Sequence, residues 1–150
     1  MKKINRILGS GFVLVMICVA VSAQQSKRET KIKEDIRAVM NAQVVEWNKG
    51  SINGFMQGYW NSPETIFVSG NSVTKGWQTV LDRYKKNYDS PEKMGKLTFA
   101  DLEITVLSKD SAAVLGSWIL QREKDTPYGR FTLVFRKTAD GWRIIHDHTS

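Results

Sequence analysis

His146 and His148, the two histidines of the chain, stand two positions apart near its end, with Asp147 between them. An imidazole titrates near neutral pH, so it can act as a general acid, a general base or a hydrogen-bond donor. The surrounding residues alternate between apolar and polar, which predicts a β-strand, and side chains two positions apart on a strand share a face. We therefore expect both histidines on one face of the strand and Asp147 on the other.

A hairpin turn at residues 138–141 is predicted to join this strand to the preceding one. In either register that such a short turn allows, the histidines share the inner face with aromatic and aliphatic side chains. These are Phe131, Leu133, Phe135, Trp142 and Ile144. Asp147 then lies on the outer face near Arg130, Arg136 and Arg143, where a surface ion pair is its expected role.

Three interpretations of the inward histidines remain open. They can be core or interface residues whose nitrogens are hydrogen-bonded within the protein. One of them can bind or polarise a small ligand, and on this interpretation His146 and His148 are the candidate catalytic residues. They can also form a metal pair, but a third ligand such as Asp101 or Glu103 is then required. The predicted site contains no metal and no other cofactor.

The first 23 residues are typical of a cleaved secretory signal. Lys2, Lys3 and Arg6 precede an uncharged apolar run at residues 7–21, and small residues end at Ala23. The run is shorter than the roughly 20 residues of a membrane-spanning helix. We expect an exported protein, periplasmic or secreted, with no membrane contact beyond this segment; an uncleaved N-terminal anchor is the alternative.

Removal of residues 1–23 from the 150-residue chain leaves 127 residues, which is enough for one domain. The mature chain lacks cysteine, because the single cysteine is Cys18. Loss of three positive charges lowers the formal net charge from +7 to +4. The remaining charges form no dense basic run, so a nucleic-acid partner is not expected.

Helical patterns occupy the first half of the mature chain, after a polar segment at residues 24–30 that we predict to be flexible. The first helix presents an apolar stripe that ends before Gly50, a helix stop. Ser51 can cap a second helix that runs to Tyr59. A third helix is predicted from residues 74–76 to Tyr88. The stripe of the first helix contains Ile32, Ile36, Val39, Met40 and Trp47.

Strand patterns dominate the second half. A short strand is predicted at residues 65–69, and longer ones at residues 97–107, 112–121, 131–137 and from Trp142 onward. Three helices followed by a run of antiparallel strands predict an α+β domain at residues 31–150, with the helices packed on one face of a curved, mainly antiparallel sheet.

Several local patterns, in this order, resemble the nuclear transport factor 2-like superfamily, which includes ketosteroid isomerase and the SnoaL-like polyketide cyclases. They are Trp47-Asn48-Lys49-Gly50, Tyr59, Gly76 and Asp140-Gly141-Trp142. The ending from Trp142 to Ser150 is also similar to that of the association domain of calcium/calmodulin-dependent kinase. The resemblance implies a cone-shaped fold and a homodimer formed through the convex face of the sheet, on which Leu115 and Ile119 are predicted to lie.

The resemblance does not extend to the isomerase residues. A ketosteroid isomerase would need a base carboxylate on the first strand, a tyrosine in the first helix and an acid on the penultimate strand. The matching positions here hold Phe67 or Val68, Gln43 and Leu133. None of these side chains can replace its counterpart, so the ketosteroid isomerase mechanism is not expected.

The predicted function is therefore a cavity that binds a small, partly apolar ligand, or an association module. The alternative is a SnoaL-like lyase, isomerase or cyclase that uses His146 or His148 as general acid or base. Aromatic and aliphatic side chains are the usual lining of a small-molecule site. The candidate ligand-binding residues are Trp47, Tyr59, Trp60, Phe67, Trp118, Phe131 and Leu133.

Overall fold

The computed structural model describes the backbone of residues 8–150 and the side chains of residues 24–150. The helices are α1 (Leu8–Asn48), α2 (Ile52–Phe55), α3 (Trp77–Asn87) and α4 (Pro91–Met94), and a 3₁₀ turn (Met56–Gly58) follows α2. The strands are β1 (Ile66–Ser69), β2 (Ser72–Lys75), β3 (Lys96–Val106), β4 (Ser111–Gln121), β5 (Tyr128–Thr138) and β6 (Gly141–Thr149). The predicted α+β fold, with helices on a curved and mostly antiparallel sheet, is confirmed.

The six strands form one sheet in the order β2-β1-β6-β5-β4-β3. β3 to β6 are joined as successive antiparallel hairpins, whereas β1 pairs with β6 in parallel. As a result β6 lies inside the sheet, hydrogen-bonded on both sides. A side chain on its concave face is therefore held by two neighbouring strands and faces the helices.

Two β-bulges interrupt the long strands. One lies in β3, where the register shifts between Ala100 and Glu103 and Asp101 adopts a positive φ of 53°. The other lies in β6: Val134 pairs with His146 but Phe135 pairs with Ile144, which leaves Ile145 as an extra residue. A bulge bends its strand and increases the twist. Each bulge also reverses which residues of the strand face inward.

The helices cover the concave face and close a single apolar core. The α1 stripe is buried as predicted, with Ile36 and Met40 fully inaccessible to solvent. The 3₁₀ turn packs closely against α1 because Gly54 and Gly58 have no side chains, and a Cβ at either position would overlap Glu46 or Gln43. This close approach fixes where the chain leaves the helices and enters the sheet at Tyr59.

Two element boundaries differ from those that the sequence predicts. The first helix begins earlier and includes residues 24–30, where Gln25 donates a hydrogen bond to Glu29 one turn away. The third helix starts only at Trp77, because residues 72–75 pair with β1 as a hairpin strand. The predicted signal at residues 1–23 lies outside the residues whose side chains are described. Within the described residues, no helix has the length and hydropathy needed to cross a membrane.

Candidate functional site

A cavity of about 140 Å³ lies between the concave face of the sheet and the helices, and we call it the cone cavity. Its wall is mainly aromatic and aliphatic and is formed by α1, α2, α3 and five strands, β1 and β3 to β6. The buried lining residues are Gln43, Trp47, Phe55, Tyr59, Phe67, Leu97, Leu120, Phe131, Leu133, Ile144 and Asp147. Gln43 and Asp147 are the polar groups in this otherwise apolar, buried set.

Asp147 is the carboxylate of the cone cavity. It lies on β6, pairs with Leu133 of β5 and Phe67 of β1, and is only 5% exposed. Its Oδ2 accepts a hydrogen bond of 2.6 Å from the hydroxyl of Tyr59. Its Oδ1 is buried and has no hydrogen-bond partner among the described residues. Because buried polar atoms usually have a hydrogen-bond partner, this oxygen is a candidate contact point of the site.

Burial raises the pKa of Asp147 from its ordinary value of 3.8 to about 7, and the hydrogen bond from Tyr59 opposes this rise. The cause is the loss of hydration of the charged carboxylate in an apolar environment. Near neutral pH the group is thus populated both as a neutral acid, which can donate a hydrogen bond, and as a carboxylate, which can accept a proton.

Tyr84 of α3 extends the polar contact around Asp147. Its hydroxyl oxygen lies 3.4 Å from that of Tyr59. Burial raises the pKa of both tyrosines well above the usual range, so both hydroxyls stay protonated near neutral pH. Because Tyr59 donates to Asp147, Tyr84 can donate to Tyr59. The ring of Tyr84 also packs against Phe67, at a centroid distance of 5.6 Å.

Local structure brings Tyr59 to β6. Tyr59 follows the 3₁₀ turn in an extended conformation and forms a bridge with Ile144, while the N–H of Trp60 donates to the Ile144 carbonyl at 2.9 Å. These contacts place the Tyr59 ring on the concave side of the sheet, where its hydroxyl reaches Asp147. The partner residues are 88 positions apart in the chain.

Gln43 supplies a second acceptor to the cone cavity. Its side-chain amide Nε2 donates to the Phe55 carbonyl at 3.1 Å, which fixes the orientation of the amide. The other amide atom, Oε1, is buried without a hydrogen-bond partner among the described residues. Gln43 lies beside Gly58, next to Tyr59 in the chain, and lines the cavity as Asp147 does. We call these two buried polar residues, Gln43 and Asp147, the buried end of the cavity.

The rim of the cone cavity is polar and partly exposed. It is formed by Ser69, Arg83, Asn87, Thr149 and Ser150. Arg83 provides the positive charge of this rim. Its guanidinium lies 5.2 Å from the centre of the Phe67 ring and donates to the Thr74 hydroxyl at 3.1 Å.

Most of the predicted ligand-binding residues line the cone cavity: Trp47, Tyr59, Phe67, Trp118, Phe131 and Leu133. Trp60 does not. It follows Tyr59 in an extended segment and points the other way, where the Arg136 guanidinium lies 5.5 Å from its ring centre.

The predicted orientation of the last strand is correct for Trp142 and Ile144, which are buried, but wrong for the residues beyond the bulge. Asp147 faces the cone cavity, whereas His146 and His148 lie on the opposite, convex face, and His148 is exposed. The bulge at Ile145 is the reason, because an extra residue reverses the alternation for the rest of β6. No group of three potential metal ligands occurs within the described part of the chain.

Asp147, Tyr84, Gln43 and Arg83 are functional candidates that sequence reasoning missed. One signal for Asp147 was present: the consecutive apolar residues Ile144 and Ile145 break the alternation of the strand. Such a break is a mark of a bulge and reverses the predicted faces beyond it. Gln43 and Tyr84 carry no comparable signal, since their role depends on contacts between distant parts of the chain.

Known proteins share both the sequence pattern and the fold. The family model described as "SnoaL-like domain" matches residues 36–150. A nuclear transport factor 2-like protein of unknown function from Shewanella oneidensis is 41% identical, with a TM-score of 0.76 over 79% of this chain and 98% of that one. No curated protein is significantly similar.

Two more distant solved structures share the fold. A putative scytalone dehydratase from Novosphingobium aromaticivorans is 11% identical, with a TM-score of 0.71 over 83% of this chain and 86% of that one. A putative calcium/calmodulin-dependent protein kinase II association domain from Xanthomonas campestris is 17% identical, with a TM-score of 0.60 over 77% and 84% of the two chains. At these identities the likeness establishes the fold alone.

Proposed function

Because this chain belongs to the SnoaL-like family, we propose that its cone cavity binds a small, partly apolar molecule, with Asp147 and Tyr59 in contact with a polar group of that ligand. Ligand-binding and lyase or isomerase activities are both compatible with this family fold. The cavity composition supports ligand binding, since many aromatic groups surround a few polar ones.

One observation carries the proposal: Oδ1 of Asp147, a residue that lines the cone cavity, is buried without a hydrogen-bond partner among the described residues. A buried polar atom left unpaired destabilises a fold by about 1 to 3 kcal/mol. Tyr59 holds the other oxygen of the carboxyl group. A polar group of a ligand in the cavity would satisfy Oδ1 and remove this cost.

The test compares two probes that differ by one hydroxyl group, para-cresol and toluene. Isothermal titration calorimetry should show that para-cresol binds the parent about tenfold more tightly, as one hydrogen bond to a buried partner predicts. In Asp147→Leu this preference should disappear while toluene still binds. Asp140→Leu, a change of an exposed turn residue, is the matched control and should retain the preference.

Two results would contradict ligand binding in the cone cavity. One is the absence of measurable binding of either probe to the parent protein. The other is an unchanged preference for para-cresol in Asp147→Leu, which would mean that the hydroxyl group is recognised elsewhere. The tryptophan fluorescence of the parent should also change on binding, because Trp47 and Trp118 line the cavity.

A second candidate function is proton transfer, as in a lyase, isomerase or cyclase. It is favoured by the pKa of Asp147, which lies at about 7, the range in which a carboxyl group is effective both as acid and as base. In this version Asp147 takes the role that sequence analysis assigned to His146 or His148. Tyr59 and Tyr84 would remain neutral and act as hydrogen-bond donors.

Proton transfer can be measured as deuterium exchange at the carbon next to a ketone carbonyl. With para-hydroxyphenylacetone in heavy water, the exchange rate should rise as the pH passes about 7, because the ionised form of Asp147 is the base. Asp147→Asn should abolish the protein-catalysed exchange. If His146→Ala or His148→Ala abolishes it and Asp147→Asn does not, the histidines are the catalytic residues instead.

Export is a further part of the proposal. It is supported by the positive charges before the apolar run at residues 7–21 and by the small residues that end at Ala23. Mass spectrometry of the protein purified from its native host should give a chain that begins at Gln24. A chain that retains residues 1–23 in the membrane fraction would instead support the uncleaved anchor.

A further inference from the structure

Arg83 is the cation among the residues that line the cone cavity. One of its nitrogens donates to Thr74, and its guanidinium is held over the Phe67 ring. No carboxylate among the described residues forms an ion pair with it. A guanidinium carries five N–H donors in a fork that matches a carboxylate. The remaining donors of Arg83 are thus free to bind an anionic group at the cavity entrance.

The buried end of the cone cavity imposes a different requirement. The Oε1 atom of Gln43 can only accept a hydrogen bond, so its partner must be a donor. Oδ1 of Asp147 can donate when protonated and accept when ionised. When Asp147 is protonated and donates, a hydroxyl group meets both requirements, because it donates its hydrogen to Gln43 and accepts from Asp147 through its oxygen. A ketone or ether oxygen would leave the Gln43 acceptor unsatisfied.

The volume of the cavity limits the part of a ligand that can lie between Arg83 at the rim and the buried residues Gln43 and Asp147. Its volume is about 140 Å³. A protein cavity of roughly 150 Å³ accommodates a benzene ring. The aromatic wall, with Phe67 and Tyr84 on one side and Phe99 and Phe131 on another, suits one ring of this size.

We propose that the ligand is a single-ring hydroxy acid, whose carboxylate pairs with Arg83 at the rim and whose hydroxyl group binds Gln43 and Asp147 at the buried end. This inference rests on the proposed function, since it names the class of molecule that the same cavity takes. It adds two recognition elements that binding of a merely apolar molecule does not need: the charge of Arg83 and the amide oxygen of Gln43.

The experiment uses three probes with the same ring: para-hydroxyphenylacetate, tyrosol, which replaces the carboxylate with an alcohol, and phenylacetate, which lacks the ring hydroxyl. Calorimetry on the parent should show that para-hydroxyphenylacetate binds at least about tenfold more tightly than either of the others. Arg83→Gln should remove the preference over tyrosol, because it weakens binding of the acid more than binding of the alcohol. Gln43→Leu should weaken the preference over phenylacetate.

Matched variants separate recognition from folding. Lys86→Gln removes one positive charge from an exposed position on the same helix and should retain the preference for the acid. Arg83→Lys keeps the charge and should retain part of it. Thermal unfolding of each variant identifies loss of structure, and the probe series on the parent alone decides the question if Arg83→Gln does not fold.

The possible failures are distinguishable. Tyrosol binding as tightly as para-hydroxyphenylacetate would overturn the hydroxy-acid inference and leave ligand binding in the cavity intact. Retention of the acid preference in Arg83→Gln would exclude Arg83 as the anion-binding group. If none of the three probes binds the parent, and para-cresol and toluene also fail to bind, the proposed function fails together with the inference.

Discussion

Asp147 has a buried carboxyl group in which Oδ2 accepts a hydrogen bond and Oδ1 has no partner among the described residues. The carboxyl is held in the centre of the sheet, between β1 and β5, and among the described residues Tyr59 alone hydrogen-bonds it. Its removal from water disfavours the charged form, which is why its pKa rises to about 7. The same environment that destabilises the charge at this site gives the group acid and base character at neutral pH.

The first prediction concerns the pH dependence of stability. The folded-state pKa of Asp147, about 7, exceeds its ordinary value of 3.8. Between these values the folded state keeps a proton that the unfolded state loses, so stability falls as the pH rises. A shift of about 3 units corresponds to roughly 4 kcal/mol, lost between about pH 4 and pH 7. Asp147→Asn cannot ionise and should lack this loss.

Urea denaturation of the parent and Asp147→Asn, from about pH 4 to about pH 8, measures this difference directly. Asp147→Asn should be the more stable protein at the alkaline end of the series. Asp140→Asn, at an exposed position, should follow the parent at every pH. Parallel profiles for the parent and Asp147→Asn would show that the buried carboxyl does not titrate as inferred.

The second prediction concerns Tyr59, whose hydrogen bond stabilises the ionised form of Asp147. Tyr59→Phe removes that donor, so the pKa of Asp147 should rise above about 7. Tyr84→Phe should have a smaller effect, since its hydroxyl contacts Tyr59 and not the carboxyl. Carbon-13 NMR titration of the aspartate carboxyl groups reports both values. A lower pKa of Asp147 in Tyr59→Phe would contradict the assigned role.

At the scale of the element, the bulges determine which side chains the cone cavity receives. Without the extra residue Ile145, the alternation of β6 would direct His146 inward and Asp147 outward. The bulge in β3 similarly brings Leu102 and Ile104, rather than Asp101 and Glu103, to the core side. One inserted residue in a strand thus decides whether a carboxyl group or an imidazole occupies the site.

Gly116 shows how closely the elements pack around the cavity. A Cβ at this position on β4 would lie 2.5 Å from Cζ of Phe131 and 2.8 Å from Cδ2 of Leu102. Gly116→Ala should therefore destabilise the protein by about 1 to 3 kcal/mol, as overpacking of a core does. Chemical denaturation measures the loss. Adding Phe131→Leu shortens the overlapping side chain, so the double mutant should recover part of the lost free energy of unfolding. If the effects of the two substitutions are additive instead, the two positions do not interact.

Much of the fold follows from periodicity, because a helix stripe such as Ile32, Ile36 and Met40 or an alternating strand reports its own buried face. The aromatic wall of the cavity was predictable for the same reason. A strict alternation of side chains cannot represent the bulge at Ile145, because the bulge changes the backbone pairing of β6. The predicted faces of the residues beyond Ile145 were therefore reversed. The Tyr59–Asp147 contact joins residues 88 positions apart and emerges only in the folded chain.

At the scale of the whole molecule, the concave and convex faces of the sheet have different properties. The residues that line the cone cavity belong to one chain, and the helices cover the concave face of the sheet. No helix layer of the described part of the chain covers the convex face, where Leu115 is 41% exposed. Ile119 lies on the same face of β4, as the alternation predicts. An uncovered apolar patch of this kind favours association, and a homodimer through the convex face is our proposal for it.

The last prediction tests this dimer. In a two-fold interface each substitution occurs twice, so Leu115→Arg would bury two unpaired charges. Analytical ultracentrifugation should show a dimeric parent and a Leu115→Arg variant whose dimer Kd is raised at least about tenfold. Val45→Arg, at an exposed position on α1, should remain dimeric. A monomeric parent would contradict the proposed interface.

Because each cavity lies within one chain, Leu115→Arg should bind para-cresol with the parent affinity. If Leu115→Arg loses the ability to bind para-cresol when it loses the dimer, ligand binding in the cavity depends on association.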